Sequence, residues 1–334
     1  MGWLLYTAAT PTALIMFLRL LSLVLPAGLA QLVSFAAFTL TAFILLILCA
    51  SYGVFASIAL RMVGYGGLSQ WTVGRAFKWS MWLTTGVTFR VTGSMKREGG
   101  VSGEDALNMR PAVFVGNHQT EMDVLMLGCM FPKYTSVTAK SSLKLTPILG
   151  WFSEFPLTHT FTPTRTLNWC TDSFVVALSK TVFIDRANRA VSRATFDTAA
   201  DTMRTKGQNV FIFPEGTRSY AEEPMLLPFK KGAFHLAVQA QVPIVPVVCA
   251  NYDNVLNLKK RRFCPGTIDV TILPPIDTKG CTAEDVDRLV EKTRNAMLEE
   301  LIRLSHVTDG GKNSMPLPSA SGVDERTREL RKRN

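Results

Sequence analysis

Apolar positions fill the start of the chain and then break into short runs. Residues 20–60 carry no charged side chain. That is longer than the roughly 20 residues needed to cross a bilayer, and it predicts a membrane-embedded helix within residues 32–60. Pro26-Ala27-Gly28 is a point where two such spans could join. An earlier span would set Arg19 inside the membrane, at a cost of roughly a few kcal/mol unless it snorkels or finds a partner. A cleaved signal peptide is the bland alternative. The first ten residues lack Lys and Arg and the apolar region is too long for one. Residues 71–82 interleave Trp71, Phe77, Trp79 and Trp82 with Arg75 and Lys78, which suits a headgroup layer. The same aromatics would also serve to cover the core of a following domain.

Beyond this point the pattern alternates. Residues 112–116, 181–184, 210–213, 243–249 and 268–273 read as strands. Residues 193–206, 231–240 and 282–304 read as helices, the last with Val286, Leu289, Val290, Met297, Leu301 and Ile302 in helical rhythm. Short strands apolar on both faces predict an α/β fold with a central, mostly parallel sheet covered by helices. Pro243 and Pro246 remove ladder donors, so the fourth strand is expected at an edge or to be irregular. The expected organisation is membrane-anchoring helices over residues 1–62, an interfacial amphipathic segment over 63–92 and the α/β domain over 93–304. Residues 154–176 lack clear periodicity and stand out as an insertion. The tail, 305–334, is polar, ends in basic residues and is expected to be disordered.

Composition narrows the class. The chain has 334 residues, 47% hydrophobic, with a mean hydropathy of +0.18, a net charge of +10 and a pI of about 9.4. No helix-turn-helix, zinc finger or RNA-binding motif is visible, so nucleic acid is not the expected partner. Anionic lipid or a phosphorylated substrate fits better. Six cysteines are scattered with no C-x-x-C pair, which predicts neither structural zinc nor a disulfide framework. No basic residue precedes Arg19, whereas Arg61, Arg75 and Lys78 follow the apolar stretch. The positive-inside rule then sets the C-terminal bulk in the cytosol.

Candidate chemistry sits at strand ends, where open α/β sheets bind ligands. Residues 117–123 read Asn-His-Gln-Thr-Glu-Met-Asp directly after a strand. His118 and Asp123 suit a general base and its orienting carboxylate. Five residues apart, they lie about 140° apart on a continuous helix. They meet only if the chain bends, with His118 in the turn and Asp123 in a following helix. An ordinary wet loop is the alternative. Phe183-Ile184-Asp185-Arg186 is a second strand ending in charge, and Phe213-Pro214-Glu215-Gly216-Thr217-Arg218-Ser219 a third. Gly216 permits a tight turn and close approach. Arg218 offers a planar fork for phosphate, with Arg186 as a second cation. Glu215 could accept from substrate or hold Arg218. Lys140, Lys144, Lys230 and Lys231 are further cations, each with solvated surface as the plain reading. The run 242–248 could border an acyl groove at Pro243 and Val245, or be plain core. G-x-S-x-G, Walker and H-E-x-x-H patterns are absent. No metal site is expected.

These four blocks, in this order, resemble the glycerolipid acyltransferase family of lysophosphatidate acyltransferases (1-acylglycerol-3-phosphate O-acyltransferases). Its motifs match Asn117, His118 and Asp123; Arg186; Phe213 to Ser219; and Val242 to Val247. The stretches 139–144 and 229–233 also look familial, and the likeness covers roughly residues 93–273. The resemblance implies that His118 deprotonates the sn-2 hydroxyl of lysophosphatidate and that Asp123 orients the imidazole. The oxygen then attacks an acyl-CoA thioester, and phosphatidate and CoA leave. Arg186, Glu215, Gly216, Thr217 and Arg218 would hold the glycerol phosphate. Acyl-CoA is a co-substrate and no cofactor is implied. Membrane lipids are the expected surroundings and the reticulum membrane the expected location. Acylation of glycerol-3-phosphate or another lysophospholipid is the close alternative. Anionic-lipid binding without turnover is the distant one, opposed by the intact His118 and Asp123. One departure stands out. Family members run almost directly from Gly-Trp-Phe to the strand before Arg186, whereas here about two dozen residues intervene. A translated retained intron and a real surface loop, which costs little entropy, both account for that. A dominant transcript encoding the segment would sink the intron.

Overall fold

The computed structural model describes residues 2–93, 103–140, 182–184 and 189–308. The segment 154–176, Lys144, Arg186 and the tail beyond residue 308 lie outside them. The chain opens with two long apolar helices, α1 (Gly2–Val24) and α2 (Ala27–Met62), broken at Pro26. At 1.5 Å per residue, α2 is about 54 Å long. It is long and apolar enough to cross a membrane; the apolar part of α1, Ala13–Val24, is shorter. Phe17, Leu20, Leu23, Phe43, Leu48 and Phe55 point outward from this pair. The opposite stripe of α2 (Ala37, Phe38, Thr41, Cys49, Gly53, Ser57) is buried, at the spacing of one helix face. Phe38 stacks on Phe263 at 4.0 Å, and the Gln31 side chain donates to the Lys260 carbonyl at 3.0 Å.

Helix α3 (Ser69–Thr85) follows. Phe77 and Met81 enter the core, while Trp79, Trp82 and Leu83 are exposed. The core-covering reading therefore holds for one face of α3, and the other face leaves its aromatics exposed. β1 (Thr88–Gly93) comes next. It pairs in register with a strand near the other end of the domain, so the boundary expected at residue 93 falls at the end of a strand of the sheet and is corrected to about residue 88. The chain continues through α4 (Gly103–Ala106), β2 (Val113–Gly116), α5 (Asp123–Met130), β3 (Thr135–Lys140), β4 (Val182–Ile184), α6 (Arg189–Lys206), β5 (Asn209–Ile212), α7 (Gly232–Ala240) and β6 (Ile244–Cys249). A small hairpin, β7 (Leu256–Asn257) and β8 (Arg262–Phe263), precedes β9 (Thr267–Ile272) and α8 (Val286–Thr308).

Among the described residues one seven-stranded sheet runs β1-β9-β6-β2-β5-β3-β4. The five strands from β6 to β4 are parallel; β9 is antiparallel to β6, and β1 runs with β9. β2, β5 and β6 are buried throughout, as strands covered on both faces must be. The carboxyl ends of β6, β2, β5, β3 and β4 therefore share one edge, and the 117–123 and 213–219 segments leave the sheet there.

The expectation of an edge position for the proline-bearing strand is overturned. β6 lies inside the sheet, between β9 and β2. Pro246 is tolerated because its missing donor faces a bulge. Val247 pairs with Ile272 and Ile244 with Ile276, so one extra residue sits on the opposing chain, and Leu273 N–H donates to the Pro246 carbonyl at 2.9 Å. The acyl-groove assignment also fails on position. Val245 is fully buried opposite Phe114, and Pro243 lies at the amino end of β6, across the sheet from residue 118.

Candidate active site

At the carboxyl end of β2, the side chain of Asn117 takes over the ladder. Its Nδ2 donates to the Cys249 carbonyl (2.9 Å) and its Oδ1 accepts from Cys249 N–H (2.8 Å). Gln119 adds bonds to the Cys249 and Ala250 carbonyls (3.1 and 2.9 Å). The two amides fasten a turn that keeps residues 118–122 out of helix until α5 begins at Asp123. Thr120 Oγ1 accepts from Met122 N–H at 3.1 Å inside that turn, a local side-chain bond of the kind that competes with helix.

The bend brings His118 Nδ1 to 2.7 Å from Asp123 Oδ2. The same oxygen accepts from Gln119 N–H at 2.7 Å, and Oδ1 accepts from the Tyr252 hydroxyl at 2.7 Å. Asp123 is 1% exposed. Three donors offset that burial, as a buried carboxylate requires. Burial first, and the Asp123 charge second, push the Tyr252 hydroxyl well above its usual range, so it remains a donor. Since the carboxylate oxygen accepts, Nδ1 donates, and in the neutral imidazole the lone pair is then on Nε2. The imidazole side chain is 20% exposed, and it stacks on Phe213 at 4.1 Å and 17°. One ring edge is thus anchored, one face covered, and Nε2 left to act as a base.

The 213–219 segment is tied to this turn. Ser219 N–H donates to the His118 carbonyl (2.9 Å) and Tyr220 N–H to the Gln119 carbonyl (3.1 Å). Glu215 is buried beneath both. Its Oε1 accepts from His118 N–H at 2.8 Å and its Oε2 from Leu227 N–H at 2.9 Å. Burial pushes its carboxyl up to about 7, against the downward pull of those two N–H groups. Glu215 therefore holds the backbone of His118, and the alternative that it holds Arg218 is corrected. Arg218 is paired instead with Glu121 at 2.9 Å.

Gly216 has φ +71°, and a Cβ there would lie 2.8 Å from Lys230 Cε, so Lys230 crosses directly over this turn. Lys231 points elsewhere, to Asp287 at 2.6 Å. Thr217 is exposed beside Arg218. Lys140 ends β3, two strands from β2 on the same sheet edge. The described part of β4 stops at Ile184, three strands from β2 or about 14 Å at ordinary strand spacing. Among the described residues, no three His, Cys, Asp or Glu side chains converge as metal ligands would.

Sequence reading missed Tyr252, Gln119, Glu121 and Tyr220. The first follows the carboxyl end of β6 and obeys the strand-end rule that found the others. The rest lie inside or beside motifs already noticed.

Comparison with known proteins accords with this arrangement. A family model described as Acyltransferase matches residues 99–168 and 166–250. A 1-acyl-sn-glycerol-3-phosphate acyltransferase of Saccharomyces cerevisiae is 36% identical over 258 residues, covering 77% of this chain and 74% of that one. The human 1-acyl-sn-glycerol-3-phosphate acyltransferase alpha is 34% identical over 214 residues, 64% of this chain and 66% of that one. In fold, the chain is similar to the crystal structure of the 1-acyl-sn-glycerophosphate acyltransferase PlsC from Thermotoga maritima. The TM-score is 0.53 at 22% identity, over 82% of this chain and 96% of that one.

Proposed function

This chain belongs to the acyltransferase family, and from that premise we propose that it moves an acyl group from acyl-CoA to the sn-2 hydroxyl of 1-acyl-glycerol-3-phosphate, giving phosphatidate and CoA. The observation that carries this reading is the buried Asp123 carboxylate fixing His118 through Nδ1, with the Arg218 loop strapped to the same turn. An alcohol is a weak nucleophile near neutral pH and needs a positioned base. His118 Nε2 takes the hydroxyl proton as the oxygen attacks the thioester carbonyl. The C–S bond breaks, and the departing thiolate receives a proton as CoA forms. A thioester is already activated, so the chain's own groups suffice without a cofactor or metal. Asp123 orients the ring and offsets the positive charge on it during attack.

Arg218, Thr217 and the Gly216 turn, with Lys230 crossing it, form the cationic side for the acceptor's phosphate. Lys140 ends β3 on that edge, and we assign it, together with Arg186 and Lys144 of the familial motifs, to the same anion. The apolar helices suit a lipid acceptor and product. We place the protein on the reticulum membrane with the α/β domain in the cytosol. The test is transfer of radiolabelled acyl groups to lysophosphatidate, glycerol-3-phosphate and lysophosphatidylcholine by the full chain. Lysophosphatidate is the expected preferred acceptor, and His118→Ala should lose about 10²- to 10⁴-fold in kcat. Equal transfer by wild type and variant would refute the base.

A further inference from the structure

The guanidinium of Arg218 makes both of its described hydrogen bonds through one nitrogen. Nη1 donates to Glu121 Oε1 at 2.9 Å and to the Tyr220 hydroxyl at 3.2 Å, and that hydroxyl donates to the same Glu121 oxygen at 2.9 Å. The three groups close a triangle. Nε and Nη2 stay outside it, and these two donors form the side-on fork that meets a carboxylate or phosphate in two parallel bonds. The triangle lies on the turn that carries the base. Glu121 is two residues before Asp123, and residues 219 and 220 are bonded to the carbonyls of His118 and Gln119.

We propose that Glu121, assisted by Tyr220, is a positioning residue that holds Arg218 with its Nε–Nη2 edge turned toward the acceptor's phosphate. The inference rests on the assignment of Arg218 to that phosphate. A free arginine on an exposed loop samples many rotamers, and binding a phosphate must freeze them. With Nη1 already anchored, less freedom is lost when the phosphate arrives. Because the pair is half-exposed (41% and 53%), the gain is modest, as for surface ion pairs generally. Glu121 also sets direction. Its carboxylate occupies the Nη1 side, so a phosphate approaches from the other edge, on a guanidinium fixed relative to His118. The same negative charge disfavours an acceptor whose carboxylate or phosphate would crowd the Nη1 side.

The experiment measures initial rates of the full chain with lysophosphatidate and with an uncharged monoacylglycerol acceptor, for wild type, Arg218→Ala, Glu121→Ala, Glu121→Gln, Tyr220→Phe and the double variant Arg218→Ala/Glu121→Ala. Glu121→Ala should raise KM for lysophosphatidate about three- to five-fold, with kcat within about two-fold and no change toward monoacylglycerol. Glu121→Gln keeps an acceptor oxygen and should recover most of the loss. Tyr220→Phe should give a smaller rise. In the Arg218→Ala background the Glu121 change should have no effect, whereas a merely structural role would persist there. If Arg218→Ala raises KM while Glu121→Ala leaves it unchanged or lowers it, positioning is wrong and the phosphate role of Arg218 stands. If Arg218→Ala leaves KM unchanged, both ideas fall.

Discussion

Glu215→Gln should trade activity for stability, in an amount that depends on pH. The Glu215 carboxyl is buried and ionises at about 7, against an ordinary value of 4.5. Below pH 4.5 folded and unfolded chains both hold the proton. Between 4.5 and 7 the folded chain keeps a proton that the unfolded chain has released, so stability falls as pH rises; above about 7 the loss is complete. At 1.36 kcal/mol for each tenfold in proton affinity, the gap comes to about 3 kcal/mol. Glutamine does not titrate and is nearly the same shape as the protonated acid. The unfolding free energy of the variant relative to wild type should therefore move by about 3 kcal/mol in the variant's favour between pH 4.5 and 8. Urea unfolding of both proteins in one detergent at pH 5, 6, 7 and 8 measures this difference, with contributions from all other groups cancelling. Activity should go the other way. Glutamine has one acceptor oxygen where the carboxylate supplies one to His118 N–H and one to Leu227 N–H. One strap is lost and the base shifts. Since a 1 Å misplacement can cost 10²-fold, kcat should fall on the order of 10- to 100-fold. A stability difference constant to within about 1 kcal/mol across that pH range would falsify the claim that burial governs this carboxyl.

Two further outcomes follow from the packing. Tyr252→Phe removes the donor to Asp123 Oδ1 and the acceptor for Thr120 N–H; it should lose about 1–3 kcal/mol in urea unfolding and lower kcat more than it raises KM. Wild-type kcat would show that Asp123 needs no second support. Gly128→Ala would bring a Cβ to 2.6 Å from the Gly74 carbonyl oxygen; overpacking of this kind costs about 1–3 kcal/mol. A wild-type urea midpoint would mean that the two helices do not approach this closely in solution.

The parallel sheet could be read from strands apolar on both faces, because runs of four to six mostly apolar residues are too short for a buried helix. The bend between His118 and Asp123 could be read from spacing alone, since a continuous helix holds the pair apart. Other features depend on partners distant in sequence. β3 reads Thr-Ser-Val-Thr-Ala-Lys, too polar for a buried strand. Its polar atoms are satisfied by side chains beyond local view: Gln208 Nε2 donates to Ser136 Oγ, and Gln70 Oε1 accepts from Val137 N–H. Pro246 misled because its lost donor is harmless only opposite the bulge at residues 273–275, which no local pattern announces. The residue type of Arg218 suggests a phosphate ligand, and Glu215 is only one of the partners its local sequence offers. Glu121, a carboxylate 97 positions away in sequence, faces it only after the two loops are strapped together.

The route from the apolar helices to the base is short. α3 leaves α2 within a few residues and crosses α5 at Gly74 and Gly128, where neither side chain keeps the backbones apart. One residue on, Arg75 donates to the Gly128 carbonyl at 3.3 Å, to the Phe131 carbonyl at 3.4 Å and to the Cys129 carbonyl. It thereby satisfies the open carbonyl end of α5, where a cation is also favoured by the helix dipole. The other end of that eight-residue helix is Asp123. The orienting carboxylate is thus one short, doubly clamped helix away from the exposed Trp79, Trp82 and Leu83 on α3. Under the proposed reaction the acceptor hydroxyl belongs to a lipid, so its height above the membrane is fixed by the acceptor's own headgroup. A base at the end of a mobile loop would meet that height only part of the time. A base held through α5 and α3 to the apolar helices keeps a constant height, and near-attack geometry then depends on the lipid alone. Under that reading two glycines and a half-buried arginine far from the chemistry help to position it, and loosening α5 should cost rate before it costs fold.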